Sequence, residues 1–377
     1  MTLRTQLYTY HRSQGKLTIF SEFEMPLWYQ GVKEECEAVR NYVGIFDVSH
    51  MGRAFIEGRR AHDFLNYLTP NDVSSLKPFQ AHYSVLLNER GGIIDDVVIL
   101  RIEEQQFLMV FNAGNRLKYL VWLQSNSERF GVGINNISDR SAMIAVQGPN
   151  ANAVLKRASG NKSLEVSRFR CNFLHIDGIK CIASGTGYTG EEGVEIFILE
   201  CPLDNTEKAL RVWDQILKSG ESLGIQACGL AARDILRLEA GMCLYGNDIS
   251  DSTTPYEARI GFVVKLDKKS DFVGKNVLTR QKAEGPQRVR VGLKVVNGGI
   301  PRPGFPILKD GEKIGEVTSG TFSPLLKRGI AMGYIPKADS EPETKAKIDI
   351  RGKPIDAIVT KMPFYDVDKY GWRRNKQ

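Results

Sequence analysis

A charge-rich stretch at residues 265–287, KLDKKSDFVGKNVLTRQKAEGPQ, splits this chain into two parts whose patterning fits no single repeating architecture. Upstream, segments with helical spacing mix with strand-like runs, without strict strand–helix alternation. Downstream, the apolar segments RVRVGLKVV, FPILKDGEKIGEVTSG, GIAMGYI and KAKIDIRGKPIDAIVTKM all alternate as strands do. The first pattern favours an α+β fold over a doubly wound sheet. The second fits a small antiparallel barrel or sandwich of about 80 residues, with hairpin turns at Asp310-Gly311 and Arg351-Gly352. The charged stretch reads as one exposed connecting helix ending at Gly285-Pro286.

Within the upstream part, RRAHDFLNYL places Ala61, Phe64, Leu65 and Leu68 on one helical face, and GGIIDDVVILRI and QFLMVFNA read as neighbouring strands. From Ser141 a similar pattern recurs: the strand SAMIAVQG, the helix NANAVLKRA, the strands IKCIASG and VEIFILE, and the helix EKALRVWDQILKSG. A length of 377 residues suits two or three domains. No window approaches the roughly 20 apolar residues of a membrane-spanning helix, and the start, MTLRTQLYTYHRSQGKL, has no apolar core of a secretory signal. The 6 cysteines include no C-x-x-C pair, which points to reduced thiols, and the expected location is cytoplasmic. A net charge of +7 suggests an anionic partner or substrate. Nucleic acid is disfavoured, because no dense basic run precedes the terminal WRRNKQ.

Three places carry chemistry. Residues 185–190, GTGYTG, match the dinucleotide fingerprint literally, but that fingerprint needs a following helix N-terminus to hold a pyrophosphate. Here EEGVEIFILE follows and alternates as a strand. The glycines therefore shape a turn with Tyr188 at its tip, able to bring backbone against a flat ligand. Alternation sets Glu195 on the face opposite Val194 and Ile196, where it is either a solvated charge or a two-oxygen acceptor for a planar amidine-like edge. In GGIIDDVVIL, strict alternation puts Ile93, Asp95, Val97 and Ile99 on one face and Ile94, Asp96, Val98 and Leu100 on the other. Both faces are apolar, so at least one carboxylate is withdrawn from water and needs a partner, a raised pKa or a function. Periodicity does not choose between the two aspartates. In GLAARDILRLEAGMCLYGNDI a helix from Leu230 to Ala240, stopped by Gly241, carries Arg233 and Arg237 on one face. Asp234 can pair with Arg237, leaving Arg233 to reach a ligand. There is no P-loop, no G-x-S-x-G and no H-E-x-x-H, and His50 in SHMG reads as a packed or turn histidine.

Taken together, FDVSHMG (46–52), GGIIDD (91–96), AVQGPNA (145–151), GYTGEEGVEI (187–196), GLAARDILRLEAGMCLYGNDI (229–249) and TSGTFSPLLKRGIAMGYIP (318–336) resemble the aminomethyltransferase family, the T-proteins of the glycine cleavage system. The resemblance runs from about residue 5 to about residue 365. It implies a three-domain cloverleaf around a central tetrahydrofolate channel, with a β-barrel last. The division expected is residues 1–265 as two interleaved α+β subdomains (about 53–139 forming one), 266–287 as the connection, and 288–377 as the barrel. It also implies transfer of the one-carbon unit from the aminomethyl-lipoyl arm of the H-protein to tetrahydrofolate, with release of ammonia, and no metal. By motif matching Asp96 is the catalytic carboxylate, Glu195 the pterin-recognising glutamate and Arg233 the folate-contacting arginine. Met51, Tyr83, Asn112 and Tyr188 match positions lining the folate site. Two readings of the same fold stand beside it: another folate-dependent transferase or demethylase, and a non-enzymatic paralogue whose K-G-C-Y-x-G-Q-E signature is absent here. The chain departs from the family at Ser21-Glu22-Phe23-Glu24, where Ala-Gly-Trp-Glu is frequent, and in the tail after KMPF, from which no ligand contact is carried over.

Overall fold

The protein is described by a computed structural model covering residues 2–374. It is a mixed α+β structure of two open sheets and a closed barrel. The six-stranded sheet has the order Cys171–Ile176, Ile179–Ser184, Gly193–Ile198, Ala142–Gln147, Val43–Asp47, Ile225–Ala227, and only the last strand joins its neighbour in parallel. The five-stranded sheet has the order Gln80–Leu87, Ile93–Glu103, Gln106–Phe111, Gly52–Glu57, Gly133–Asn136.

Alternation decides what each sheet buries. Val194, Ile196 and Ile198 point outward with Trp213 and Ile216 of the helix Glu207–Gly220, whereas Phe197 points the other way. That inner core joins Phe46, Ala145 and Phe197 of one sheet to Phe55, Leu100 and Leu108 of the other, and Leu236 of the helix Leu230–Glu239 closes it. The far side of the five-stranded sheet is covered by the helices Ala61–Leu68 and Arg116–Ser127. All six cysteines are free and buried, and no helix among the described residues is long and apolar enough to cross a membrane.

The six barrel strands are all antiparallel. Both hairpin signals are real turns. Asp310 (φ 51°) and Gly311 (φ 87°) lead one hairpin, Arg351 (φ 57°) and Gly352 (φ 81°) the other, and two successive positive φ values match the twist of the strands they join. The barrel is fastened to the helix Leu230–Glu239 by buried polar bonds: Arg237 donates to Ser319 Oγ at 2.8 Å, and Ser323 Oγ donates to Glu239 at 2.6 Å.

Two local expectations fail. The charged stretch is helical only over Lys275–Glu284. Residues ahead of it are held by outside partners instead of a helical ladder: the Lys265 amide donates to Pro70 O, the Val273 amide to Tyr67 O, and Lys268 Nζ to the carbonyls of Asn66, Thr69 and Asn71. Strict alternation also fails at Ile94. The ladder pairs Leu86 with Asp95 but Leu87 with Ile93, so Ile94 is the extra residue of a bulge. It packs with Val97 and Ile99 and not on the Asp96 side.

Candidate active site

The structure brings all seven side chains singled out from the sequence, Met51, Tyr83, Asp96, Asn112, Tyr188, Glu195 and Arg233, to one cavity of about 890 Å³. The five-stranded sheet builds one wall. Tyr83 pairs with Val98, which sets its ring diagonally beside Asp96 on the same face. Its hydroxyl donates to Asp96 Oδ2 at 3.1 Å. Asn112, just past the strand Gln106–Phe111, donates from one Nδ2 to Asp96 Oδ1 at 2.7 Å and to Asp95 Oδ1 at 2.8 Å.

The two aspartates are thus joined rather than simply opposed. Asp95 is fully buried and accepts further bonds from the Asn112 amide at 3.1 Å and Asn115 Nδ2 at 2.9 Å. Asp96 is half-buried at the cavity. Burial pushes both carboxyls above the ordinary range, and the Asp96 charge adds to the rise at Asp95. The amide and phenol donors pull each back toward the ionised form.

The second wall is the glycine-rich turn and the strand after it. A Cβ at Gly185 would lie 2.0 Å from the Ser167 carbonyl, and one at Gly187 2.0 Å from the Gln147 side chain. These glycines serve close packing, and a strand follows them, so the turn is no phosphate cradle. Glu195, 7% exposed, accepts a bond from the Thr186 hydroxyl, and burial raises its pKa. Tyr188 is anchored by its hydroxyl to the Cys243 carbonyl.

The two arginines of one helical face divide by their partners, as expected. Arg237 is committed to Asp234 at 2.8 Å and Asp248 at 2.7 Å. The Arg233 side chain has no hydrogen bond or ion pair among the described residues; its guanidinium lies 4.8 Å from the Tyr188 ring centre, and burial lowers its pKa while the Glu195 charge opposes that shift. The cavity therefore offers a buried two-oxygen acceptor, an uncommitted guanidinium and an aromatic face together. His50 is buried against Phe20 and Phe23, with burial lowering its pKa to about 3, as a packed histidine should be.

Sequence reasoning missed several lining or supporting groups. Thr186 lay hidden between two glycines of the false fingerprint. Asn115 follows Asn112 by one turn in NAGN, and that amide pair beside an apolar strand was the available signal. Arg168 and Trp372 also line the cavity, and nothing local marks them.

Comparison with known proteins gives a consistent result. Residues 7–268 match the family described as GCVT N-terminal domain, and residues 288–366 match the glycine cleavage T-protein C-terminal barrel domain. The aminomethyltransferase of Desulfitobacterium hafniense is 41% identical, over 96% of this chain and 98% of that protein. The probable aminomethyltransferase of Pyrococcus horikoshii is 40% identical, over 98% of this chain and 99% of that protein. The crystal structure of glycine cleavage system aminomethyltransferase T from Bartonella henselae superposes with a TM-score of 0.90 at 36% identity, covering 99% of this chain and all of that one.

Proposed function

This chain belongs to the aminomethyltransferase family, the T-proteins of the glycine cleavage system, and from that membership we propose how its cavity carries out aminomethyl transfer to tetrahydrofolate. The donor is the aminomethyl group held as a thioether on the lipoyl arm of the H-protein, in the cytoplasm. The reaction moves the methylene carbon from sulfur and nitrogen to two folate nitrogens, and the displaced protons leave with the thiol and ammonia.

Glu195 accepts from the amidine-like edge of the pterin, while Arg233 and the Tyr188 ring meet the ring system beside it. Met51 and Asn112 line the same space. Asp96 acts where positive charge develops on the carbon–nitrogen unit. Its carboxylate is held by Tyr83 and Asn112 in a partly dry setting, so its field is stronger than in water and needs little reorganisation. The same orientation lets it fix a folate nitrogen for attack.

The observation that carries this reading is the shared Asn112 bridge, which orients Asp96 toward the cavity while Asp95 stays in the wall. Asp96→Asn keeps both bonds, since its oxygen can accept from Asn112 and its amide can donate to Tyr83. We expect kcat to fall at least about 100-fold, with folate affinity changed far less and the melting temperature not lowered. Asp95→Asn turns an amide donor toward the Asn112 N–H or Nδ2 and should cost about 1–3 kcal/mol of stability. Stopped assays with lipoylated H-protein, combined with thermal melts, separate the two. Loss of turnover in folded Asp95→Asn with normal turnover in Asp96→Asn would reverse the assignment.

A further inference from the structure

His50 lines the cavity and is 2% exposed, yet neither of its ring nitrogens makes a hydrogen bond among the described residues. Nδ1 is sealed from solvent with no partner. Nε2 is unbonded but not sealed, so it is the nitrogen that meets the cavity. An unpaired polar atom in a packed setting is a cost that an apolar ring of similar shape would avoid.

The imidazole is also held still. Phe20 and Phe23 meet it edge to face, with ring centres 5.7 Å and 6.3 Å away. The turn beneath it is fixed by Arg53, which donates to Ser49 O at 3.1 Å and to Met51 O at 2.7 Å. The Ser49 amide adds a bond to Asp47 at 2.8 Å. Burial, then the Arg233 charge, keep the ring neutral, with Asp47 opposing them. A neutral imidazole carries one N–H and one lone pair. A proton on sealed Nδ1 would be a buried donor with nothing to meet, the rarer kind of orphan. The lone pair therefore belongs on Nδ1, and Nε2 presents its N–H to the cavity.

We propose that His50 is a further ligand-binding residue, its Nε2–H donating to the ring carbonyl oxygen of the pterin. The proposal rests on the reading above, in which Glu195 accepts from the amidine-like edge. The carbonyl is the next substituent on that ring, and a carboxylate cannot serve it because both are acceptors. Arg233 links the two groups: its charge acts on His50 and on Glu195 alike, which sets the imidazole at the pterin end of the cavity. A fixed neutral donor there selects a carbonyl without adding charge to a site that already holds a guanidinium.

Two variants of the full chain test this. His50→Phe keeps a flat ring and removes the donor together with the orphaned nitrogen; His50→Gln keeps a donor. Calorimetry uses two probes, tetrahydrofolate and a methyltetrahydropterin without the tail. His50→Phe should weaken both by about tenfold, equally, because the contact is to the ring. His50→Gln should stay within about threefold of the wild type for both. Infrared difference spectra of the pterin, isotope-labelled at its ring carbonyl, read the bond directly: the bound carbonyl stretch should lie higher in His50→Phe than in the wild type. A merely packed histidine would move the melting temperature and leave that stretch in place. Unchanged affinity in folded His50→Phe, an unchanged carbonyl stretch, a loss confined to tetrahydrofolate, or a His50→Gln variant as weak as His50→Phe overturns the proposal. Failure of Glu195→Ala to weaken the tailless pterin would instead sink the pterin assignment, a separable result because His50 is intact in that variant.

Discussion

Two desolvated aspartates of this protein show opposite electrostatics, and the difference lies in their partners. Asp47 is desolvated, yet the hydrogen bond and charge of His11, with bonds from Ser49 and Thr5, hold its pKa at about 2. Its contribution to stability is present above the ordinary carboxylate range and is lost as pH falls through that low value. Asp96 has neutral donors only, and burial raises its pKa. On the proposed role of Asp96, turnover needs its ionised form, so the acid limb of the kcat profile should lie clearly above the roughly pH 4 of an ordinary aspartate. A limb centred near pH 4 would contradict this. The stability sign is the reverse of that at Asp47: the raised group stabilises fully at low pH and loses that contribution as pH rises through its folded value. Glu195 and Arg233 give the second test at this scale. Removing either in Glu195→Ala or Arg233→Ala deletes a charge-assisted contact and should weaken tetrahydrofolate binding by about 1.5–3 kcal/mol, with the fold intact. Unchanged affinity in calorimetry for both variants would make them plain wall charges.

Elements are positioned here by a few long-range polar clamps as much as by apolar faces. Lys268 is the clearest. Its ammonium, 8% exposed as a residue, caps the carbonyls of Asn66 and Thr69 at 2.6 Å and Asn71 at 3.0 Å, fastening the segment before the helix Lys275–Glu284 to the end of the helix Ala61–Leu68. Lys268→Met leaves the carbonyls without their charged donor. Urea unfolding should show a loss of about 1.5–3 kcal/mol, and a change under about 0.5 kcal/mol would mean that water replaces the amine freely. The bulge at Ile94 is the matching device in the five-stranded sheet. One unpaired residue sends Ile94 into the core with Val97 and Ile99, leaving Asp95 and Asp96 adjacent to a single amide, Asn112.

At the scale of the whole molecule, the cavity draws its lining from both sheets, the helix Leu230–Glu239, the barrel and the tail. The buried bonds of Arg237 to Asp248 and Ser319, and of Glu239 to Ser323 and Arg40, fasten these parts to one another. The net charge of +7 suits an acidic carrier protein presenting its arm at the cavity. The Michaelis constant for H-protein should therefore rise clearly between low and physiological salt, because screening acts within about 10 Å. Salt-independence would remove electrostatic docking and leave the transfer chemistry untouched.

Read alone, the sequence determined the mixed upstream and all-strand downstream parts, the hairpins at Asp310-Gly311 and Arg351-Gly352, the strand after the false fingerprint, and the commitment of Arg237 that frees Arg233. These follow from periodicity, turn stereochemistry and helical spacing, which are local. Motif resemblance, not periodicity, selected Asp96 over Asp95. Only the tertiary structure decided that Asn112 ties the two aspartates together, that Ile94 leaves the Asp96 side, that residues 265–274 are not helical, and that Trp372 reaches the cavity wall. Alternation assigns a face but not a partner, and a single bulge resets it. Trp372 and Gly190, far apart in sequence, meet through a backbone bond that leaves no trace in side-chain pattern.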